Sequence, residues 1–117
     1  MKKQDKIIIK KINTYCSEII DFSEDITFEE FSTDKRKNYM LVFPIGQIGE
    51  LSNKLSNEFK EQYSEAPWRA AISVRNRLVH DYDGVSMDRI WQIIKIGIPD
   101  LYKYTNKILK DIKGEIL

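Results

Sequence analysis

The sequence predicts an all-α fold, a bundle of four to five main helices joined by short connections. Over long stretches, apolar residues recur at spacings of three and four, the period of one helix face. No stretch alternates apolar and polar residues for long enough to indicate a strand. The 117 residues, 42% of them hydrophobic, suffice for one core, so we predict a single domain over residues 1–117.

The first half of the chain is predicted to form two long helices with a break between them. The apolar stripe of the first helix consists of Ile8, Ile12, Tyr15, Ile19 and Phe22. The segment SEDITFEEF interrupts it, and Thr27 with Glu30 has the spacing of a capping box that begins a short helix. The second stripe extends from Leu41 to Phe59 and contains Pro44, where we expect a kink or a broken first turn.

The second half is predicted to form three more helices. Pro67 suits the first position of a helix that extends to about Asp81, and Gly84 would then take a left-handed cap. Ser86 is a plausible N-cap for the next helix, and Pro99 is expected to begin the last one. Because the connections are short, consecutive helices are expected to pack antiparallel.

Composition argues against several classes of protein. No window approaches the roughly 18 apolar residues of a membrane span, and the apolar run near the N-terminus is too short for a signal peptide. We therefore predict a cytoplasmic protein. The single cysteine, Cys16, cannot form an internal disulfide and is interpreted as a buried core residue. One histidine and one cysteine cannot make a structural zinc site, so no metal and no cofactor are predicted.

The net charge of +1 gives no overall attraction to nucleic acid, so any such binding must depend on local charge. One basic group near the N-terminus consists of Lys2, Lys3, Lys6, Lys10 and Lys11. We interpret it as a solvated helix face. A second group, Arg69, Arg75 and Arg77, lies in residues 66–79, which contain no acidic residue. This run leads into the segment SVRNRLVHDYDG.

A helical wheel of that segment separates its polar residues. The stripe expected to face the core consists of Ala71, Val74 and Leu78. At about 100° per residue, His80 lies about 180° from Ala71 and is a neighbour of Asn76 on the outward face. Arg75 lies about 140° from His80, on the flank of the core stripe, with Tyr82 near it if the helix continues. Arg75 must therefore curl around the helix, or it meets a His80 from a second copy in a symmetric dimer.

The residue types in this segment suit the cleavage of RNA without a metal ion. Such cleavage needs a base for the 2′-hydroxyl proton, an acid for the leaving oxygen and a cation on the phosphate. The imidazole of His80 can serve as base or acid, and the planar fork of Arg75 matches phosphate oxygens. Asn76 could orient the imidazole or donate to a phosphate, and Tyr82 could stack on a base or hydrogen-bond a phosphate.

The segment RNRLVHDY has the form Arg-x4-His-x-Tyr, with an asparagine directly after the arginine. It resembles the motif of the HEPN superfamily of small helical proteins, and specifically of the HepT-like toxins of prokaryotic toxin–antitoxin pairs. The surrounding APWRAAISVRNRLVHDYDGV, the upstream IGELSNKLSNEF and the downstream IWQIIKIGIPDL also resemble segments of this family. The diagnostic part is about twenty residues long.

The resemblance implies a HEPN-like homodimer with its active cleft at the dimer interface. It implies a metal-independent endoribonuclease that uses Arg75 and His80, with Asn76, Arg77 and Tyr82 in supporting or RNA-binding roles. It also implies a type VII-like toxin–antitoxin pair, in which a small nucleotidyltransferase antitoxin attaches AMP to Tyr82. The presence of Pro44 in a helix expected to be unbroken departs from the family pattern and could alter the dimer surface.

Two other functions stay open from the sequence. The chain could be a non-catalytic HEPN subunit that binds nucleotide or substrate for a nucleotidyltransferase, or a helical dimer in which the motif is incidental. The full set of motif residues favours the ribonuclease.

Five residues outside the proposed chemistry are given structural roles. Trp68 and Trp91 are interpreted as core or interface anchors. Asp81 and Asp83 are interpreted as turn residues, with a lesser role in holding a metal-bound nucleotide. Glu50 is interpreted as a solvated or helix-pairing carboxylate, with a buried ion pair to Arg75 or Arg77 as the alternative.

Overall fold

Four long helices and three short ones make up most of the chain in the computed structural model, which describes the backbone of residues 1–116 and the side chains of residues 1–114. In chain order they are α1 (Lys3–Ser23), α2 (Phe28–Thr33), α3 (Lys35–Lys54), α4 (Asn57–Gln62), α5 (Trp68–His80), α6 (Met87–Gln92) and α7 (Ile98–Ile116). No strand occurs in residues 1–116, so the all-α prediction is confirmed. Leu117, the end of the predicted domain, lies outside the described residues.

Helix α1 contacts both α3 and α7, and α5 packs chiefly on α3. The predicted stripe of α1 is correct for its isoleucines, which are at most 4% exposed. Cys16 is also buried, as predicted, and burial raises the pKa of its thiol to about 12. Phe22 is an exception, with 43% of its surface exposed. In this last turn of α1 the neighbouring Ser23 is the residue that is buried.

The prediction of one helix from Leu41 to Phe59 is wrong, because the chain leaves the helical conformation at Leu55. Ser56 then begins α4, and its hydroxyl accepts a hydrogen bond from the backbone N–H of Phe59. The buried carboxylate of Asp5 on α1 accepts hydrogen bonds from the Ser56 backbone N–H at 2.9 Å and from its hydroxyl at 2.6 Å. A long-range contact therefore stabilises this break.

Pro44 does not break α3, so the expectation of a broken first turn is also wrong. The helix begins earlier than the apolar stripe indicates, because the Asp34 side chain caps it by accepting hydrogen bonds from the backbone N–H groups of Arg36 and Lys37. Pro44 consequently lies in the third turn of a continuous helix, where it is buried.

The last helix begins at Ile98, one residue before the start predicted at Pro99, but the chain stays helical from α6 into it. A single π turn, Ile93–Gly97, joins the two helices, and the Ile98 N–H donates to the carbonyl of Ile93. Pro99 has no N–H to donate, and a wider turn just before it is a conformation in which that missing donor is tolerated.

The predicted caps and anchors are confirmed elsewhere. Thr27 and Glu30 form both hydrogen bonds of the capping box, and the Ser86 hydroxyl caps α6. Trp68 is buried and its indole N–H donates to the carbonyl of Tyr63. Trp91 stacks on Phe31 at 5.3 Å between ring centroids. Through residue 116, none of the helices is both long enough and apolar enough to cross a membrane.

Candidate active site

Helix α5 carries most of the motif and presents its residues in the predicted directions. Ala71, Val74 and Leu78 pack against the core. His80 and Asn76 are exposed on the opposite face. The predicted outward position of the imidazole is therefore correct, and His80 is the last residue of the helix.

The close crossing of α3 and α5 positions Arg75. Gly49 of α3 lies so near α5 that a Cβ atom there would be 2.5 Å from the Ala71 carbonyl oxygen and would overlap the Cβ of Arg75. Only a residue without a side chain allows this approach. The backbone of Arg75 is thus held directly against α3.

The guanidinium of Arg75 is held by two partners. Its Nη2 lies 2.7 Å from Oε2 of Glu50, and its Nη1 donates to Oδ1 of Asn76 at 2.9 Å. The side chains of Arg75 and Glu50 are each about one third exposed, so this is a partly solvated pair between helices. Glu50 therefore acts as a helix-pairing carboxylate with Arg75 as its partner, and the buried ion pair given as the alternative does not occur. Arg77 forms no ion pair with any residue that the structure describes.

The turn after α5 differs from the predicted one. Gly84 does not take a left-handed cap, since no residue of 1–116 has a positive φ. A short 3₁₀ turn, Tyr82–Gly84, follows instead, and the Asp81 carboxylate accepts a hydrogen bond from the Gly84 N–H. A Cβ on Gly84 would lie 2.6 Å from Cγ of Asp81. The glycine is needed here for the close approach of that carboxylate, and Asp81 has the turn-forming role predicted for it.

Tyr82 is partly buried and its hydroxyl donates a hydrogen bond to Oδ1 of Asn38 on α3. Asn38 is buried and donates in turn to the carbonyl of Phe31 at 3.1 Å. The ring of Tyr39 meets that of Tyr82 edge-on at 6.0 Å. Burial, followed by the nearby Tyr39 and Asp83, raises the pKa of Tyr82.

Sequence reasoning missed Asn38 and Tyr39 as neighbours of Tyr82. A signal for Asn38 is present, because it lies three residues before Leu41, on the apolar stripe of α3. A polar residue at such a position needs a buried hydrogen-bond partner. The sequence alone does not identify that partner as Tyr82.

Arg75 and Tyr82 line one cleft of about 420 Å³ between α3 and α5. We call it the motif cleft, and its other lining residues are Val42, Phe43, Gly46, Gln47, Glu50, Leu78 and Val79. His80 lies outside this lining, and in the described part of the chain no hydrogen bond joins it to Arg75. A single chain therefore brings together Arg75, Asn76 and Glu50, and it leaves His80 apart.

Comparison with known proteins identifies the family. The sequence model of the family described as "Ribonuclease HepT-like" matches residues 12–108, which contain the whole motif. The chain belongs to the HepT-like ribonuclease family. It is accordingly a ribonuclease of the HEPN type, and its recognition from the motif is confirmed.

Individual relatives support this assignment. A Methanocaldococcus jannaschii protein named "Putative RNase MJ0127" is 33% identical over 97% of this chain and 94% of its own length. A Thermococcus cleftensis protein named "Probable ribonuclease HepT" is 33% identical over 94% of this chain and 100% of its own. No solved structure shows a significant match to the chain.

Proposed function

We propose that the chain is a metal-independent endoribonuclease whose active site is completed by a second copy of itself. We further propose that it is the toxin of a type VII-like toxin–antitoxin pair, restrained by a nucleotidyltransferase that adenylylates Tyr82. The observation that carries the first proposal is the separation of Arg75 from the exposed His80 on either side of α5. The second proposal rests on the resemblance of the motif, in which Tyr82 follows His80 by two residues.

The roles in cleavage follow from the position of each group. Exposed His80 can exchange a proton with the 2′-hydroxyl or with the leaving 5′-oxygen. Arg75 is kept in a fixed orientation by Glu50 and Asn76, so the N–H groups that these partners leave free can bind a phosphate without first losing side-chain freedom. Asn76 uses its oxygen to hold Arg75, and its amide N–H groups remain to donate to a phosphate.

The surface around the motif cleft supports a symmetric dimer. Three large side chains are strongly exposed there: Tyr39 (56%), Phe43 (62%) and Val79 (63%). Apolar and aromatic surface of this kind, beside a cleft, is typical of a protein interface. In a symmetric dimer the same patch faces itself, and Arg75 of one copy can then approach His80 of the other.

Modification of Tyr82 would act directly on this cleft. The hydroxyl oxygen of Tyr82 would attack the α-phosphorus of ATP, the bond to the β-phosphate oxygen would break, and pyrophosphate would leave. The phenol proton would pass to a base of the nucleotidyltransferase. The product would carry a bulky anion in the motif cleft that Tyr82 lines, where it would repel an RNA phosphate. For this attack, the hydrogen bond from Tyr82 to Asn38 must first open.

Cleavage of RNA in the presence of EDTA tests the catalytic proposal. We expect the purified protein to cleave single-stranded RNA and the His80→Ala variant to be slower by about a hundredfold or more. Gln62→Ala, an exposed change on α4, serves as the matched surface control and should cleave as the wild type does. Binding of RNA without cleavage by the wild type would favour the non-catalytic alternative.

Co-expression with a candidate nucleotidyltransferase antitoxin tests the regulatory proposal. The intact mass should rise by one or more adenylyl groups, located on Tyr82 by peptide sequencing. The Tyr82→Phe variant should stay unmodified at that position, and the nucleotidyltransferase should not reduce whatever toxicity to growth this variant has. Modification of a different residue, or none at all, would contradict this proposal without affecting the catalytic one.

A further inference from the structure

A second cleft lies on the other side of α5 and has a basic lining. Its volume is about 600 Å³, and it is formed by α5, the turn before α6, α6 itself and the π turn. Its polar side chains include Ser73 and Arg77 from α5, and Ser86, Arg89 and Gln92 from α6 and the residue before it. We call it the arginine cleft. It lies outside the residues that line the motif cleft.

The charged side chains that line the arginine cleft are all positive. No acidic residue contributes to its lining. Neither guanidinium forms an ion pair or hydrogen bond with the described part of the chain. Arg77 and Arg89 are both exposed. On a chain with a net charge of only +1, this is a local concentration of unpaired positive charge.

The position of His80 connects the two clefts. Arg77 is three residues before His80, one turn back on the same helix, so the two side chains are neighbours on its surface. On the wheel, His80 lies about 60° from Arg77 and about 140° from Arg75. The imidazole therefore lies between the motif cleft and the arginine cleft, closer to the latter.

We propose that the arginine cleft binds the backbone of single-stranded RNA next to the scissile phosphate. This inference rests on the proposed ribonuclease function and extends it to a second part of the substrate. A strand whose scissile phosphate lies at His80 would continue over Arg77 and place a following phosphate against Arg89. Guanidinium groups suit this role because their planar forks match phosphate oxygens and can also stack on bases.

The apolar part of the cleft agrees with a nucleotide as the ligand. Ile96 lines it and is 65% exposed, and the partly buried Val85 and Ile93 lie below. This combination presents an apolar surface for the base of a nucleotide and two cations for its phosphate. Contacts from the two guanidinium groups to phosphates carry no sequence information, so we expect little sequence preference from them.

Binding of uncleavable RNA tests the proposal. The probes are 2′-O-methyl oligonucleotides, a dinucleotide and a strand of about ten nucleotides, which lack the attacking hydroxyl and report binding alone. For the longer probe, Arg89→Ala should weaken binding about fivefold and should lower the slope of log Kd against log salt by about 0.7, the value for one lost phosphate contact. The dinucleotide, whose single internal phosphate cannot occupy both positions at once, should show a smaller loss.

A matched control removes one positive charge elsewhere. Lys107 is exposed on α7, and Lys107→Ala should bind both probes as the wild type does. Thermal melting of both variants verifies that they are folded. Unchanged affinity and salt slope in Arg89→Ala, or an equal loss in Lys107→Ala, would overturn the proposal. It would also be overturned if Arg89→Ala weakened only the complex with the nucleotidyltransferase. Because the probes cannot be cleaved, this result is independent of whether the wild type proves to be a ribonuclease.

Discussion

Replacement of Gly49 by alanine should destabilise the protein by forcing α3 and α5 apart. The added Cβ would lie 2.5 Å from the Ala71 carbonyl oxygen and would overlap the Cβ of Arg75. Neither of these atoms can move away by a change of rotamer, so relief requires a shift of the helix backbone. Overpacking of this kind costs typically 1–3 kcal/mol, and rigid neighbours place this site near the upper end, at about 3 kcal/mol.

The higher helix propensity of alanine offsets about 1 kcal/mol of this cost, which leaves a net loss of about 2 kcal/mol. An entropy of unfolding of about 2.1 cal/mol/K per residue gives roughly 0.25 kcal/mol/K for a chain of this length. The expected fall in Tm is therefore about 8 °C. Activity should fall as well, because the shift displaces Arg75 from Glu50.

Differential scanning calorimetry measures this change, with Gly114→Ala as the control. Gly114 also lies in a helix, but a Cβ there meets no atom within 4 Å. The control should therefore leave Tm unchanged or raise it slightly through helix propensity. An equal or higher Tm for Gly49→Ala would refute the close crossing of α3 and α5 and the account of how Arg75 is positioned.

Three further predictions concern buried or partly buried side chains. Asp5→Ala removes both hydrogen bonds to Ser56 and should lower the free energy of unfolding in urea by about 1–3 kcal/mol, whereas Asp21→Ala, exposed in the last turn of α1, should not lower it. Cys16, buried and with a raised thiol pKa, should react with a thiol reagent only after unfolding; reaction in native buffer would contradict its burial. The raised pKa of Tyr82 means that the folded state holds the phenol proton more tightly than the unfolded state. The stabilisation of the folded state by protonated Tyr82 should be fully present below the ordinary tyrosine pKa of about 10 and should be lost as the pH rises through the higher pKa of the folded state. The free energy of unfolding of Tyr82→Phe should lack this part of the pH dependence.

Much of the helical framework is predictable because its signals are local. The capping box of Thr27 and Glu30 and the cap at Ser86 involve residues within three positions of each other. The break between α3 and α4 is different, because the Asp5 carboxylate that stabilises it is 51 residues away from Ser56 in the chain. Apolar periodicity continues through that break, so the sequence pattern predicts an unbroken helix.

The same distinction applies to the site. The outward position of His80 and the flanking position of Arg75 follow from the geometry of one helix, and both were predictable. The sequence does not determine the partner of Arg75, because Glu50 comes close to it only where α3 crosses α5 at Gly49. The hydrogen bond from Tyr82 to Asn38 joins residues 44 positions apart and left only an indirect signal in the sequence.

The most direct test of a site shared between two copies is complementation between inactive variants. Arg75→Ala and His80→Ala are each expected to be inactive alone. After unfolding and refolding together in equal amounts, about half of the dimers should be mixed, and each mixed dimer should contain one intact site made of Arg75 from one copy and His80 from the other. The mixture should then recover about a quarter of the wild-type rate of RNA cleavage. No recovery, with mixed dimers verified by native mass spectrometry, would contradict the shared site.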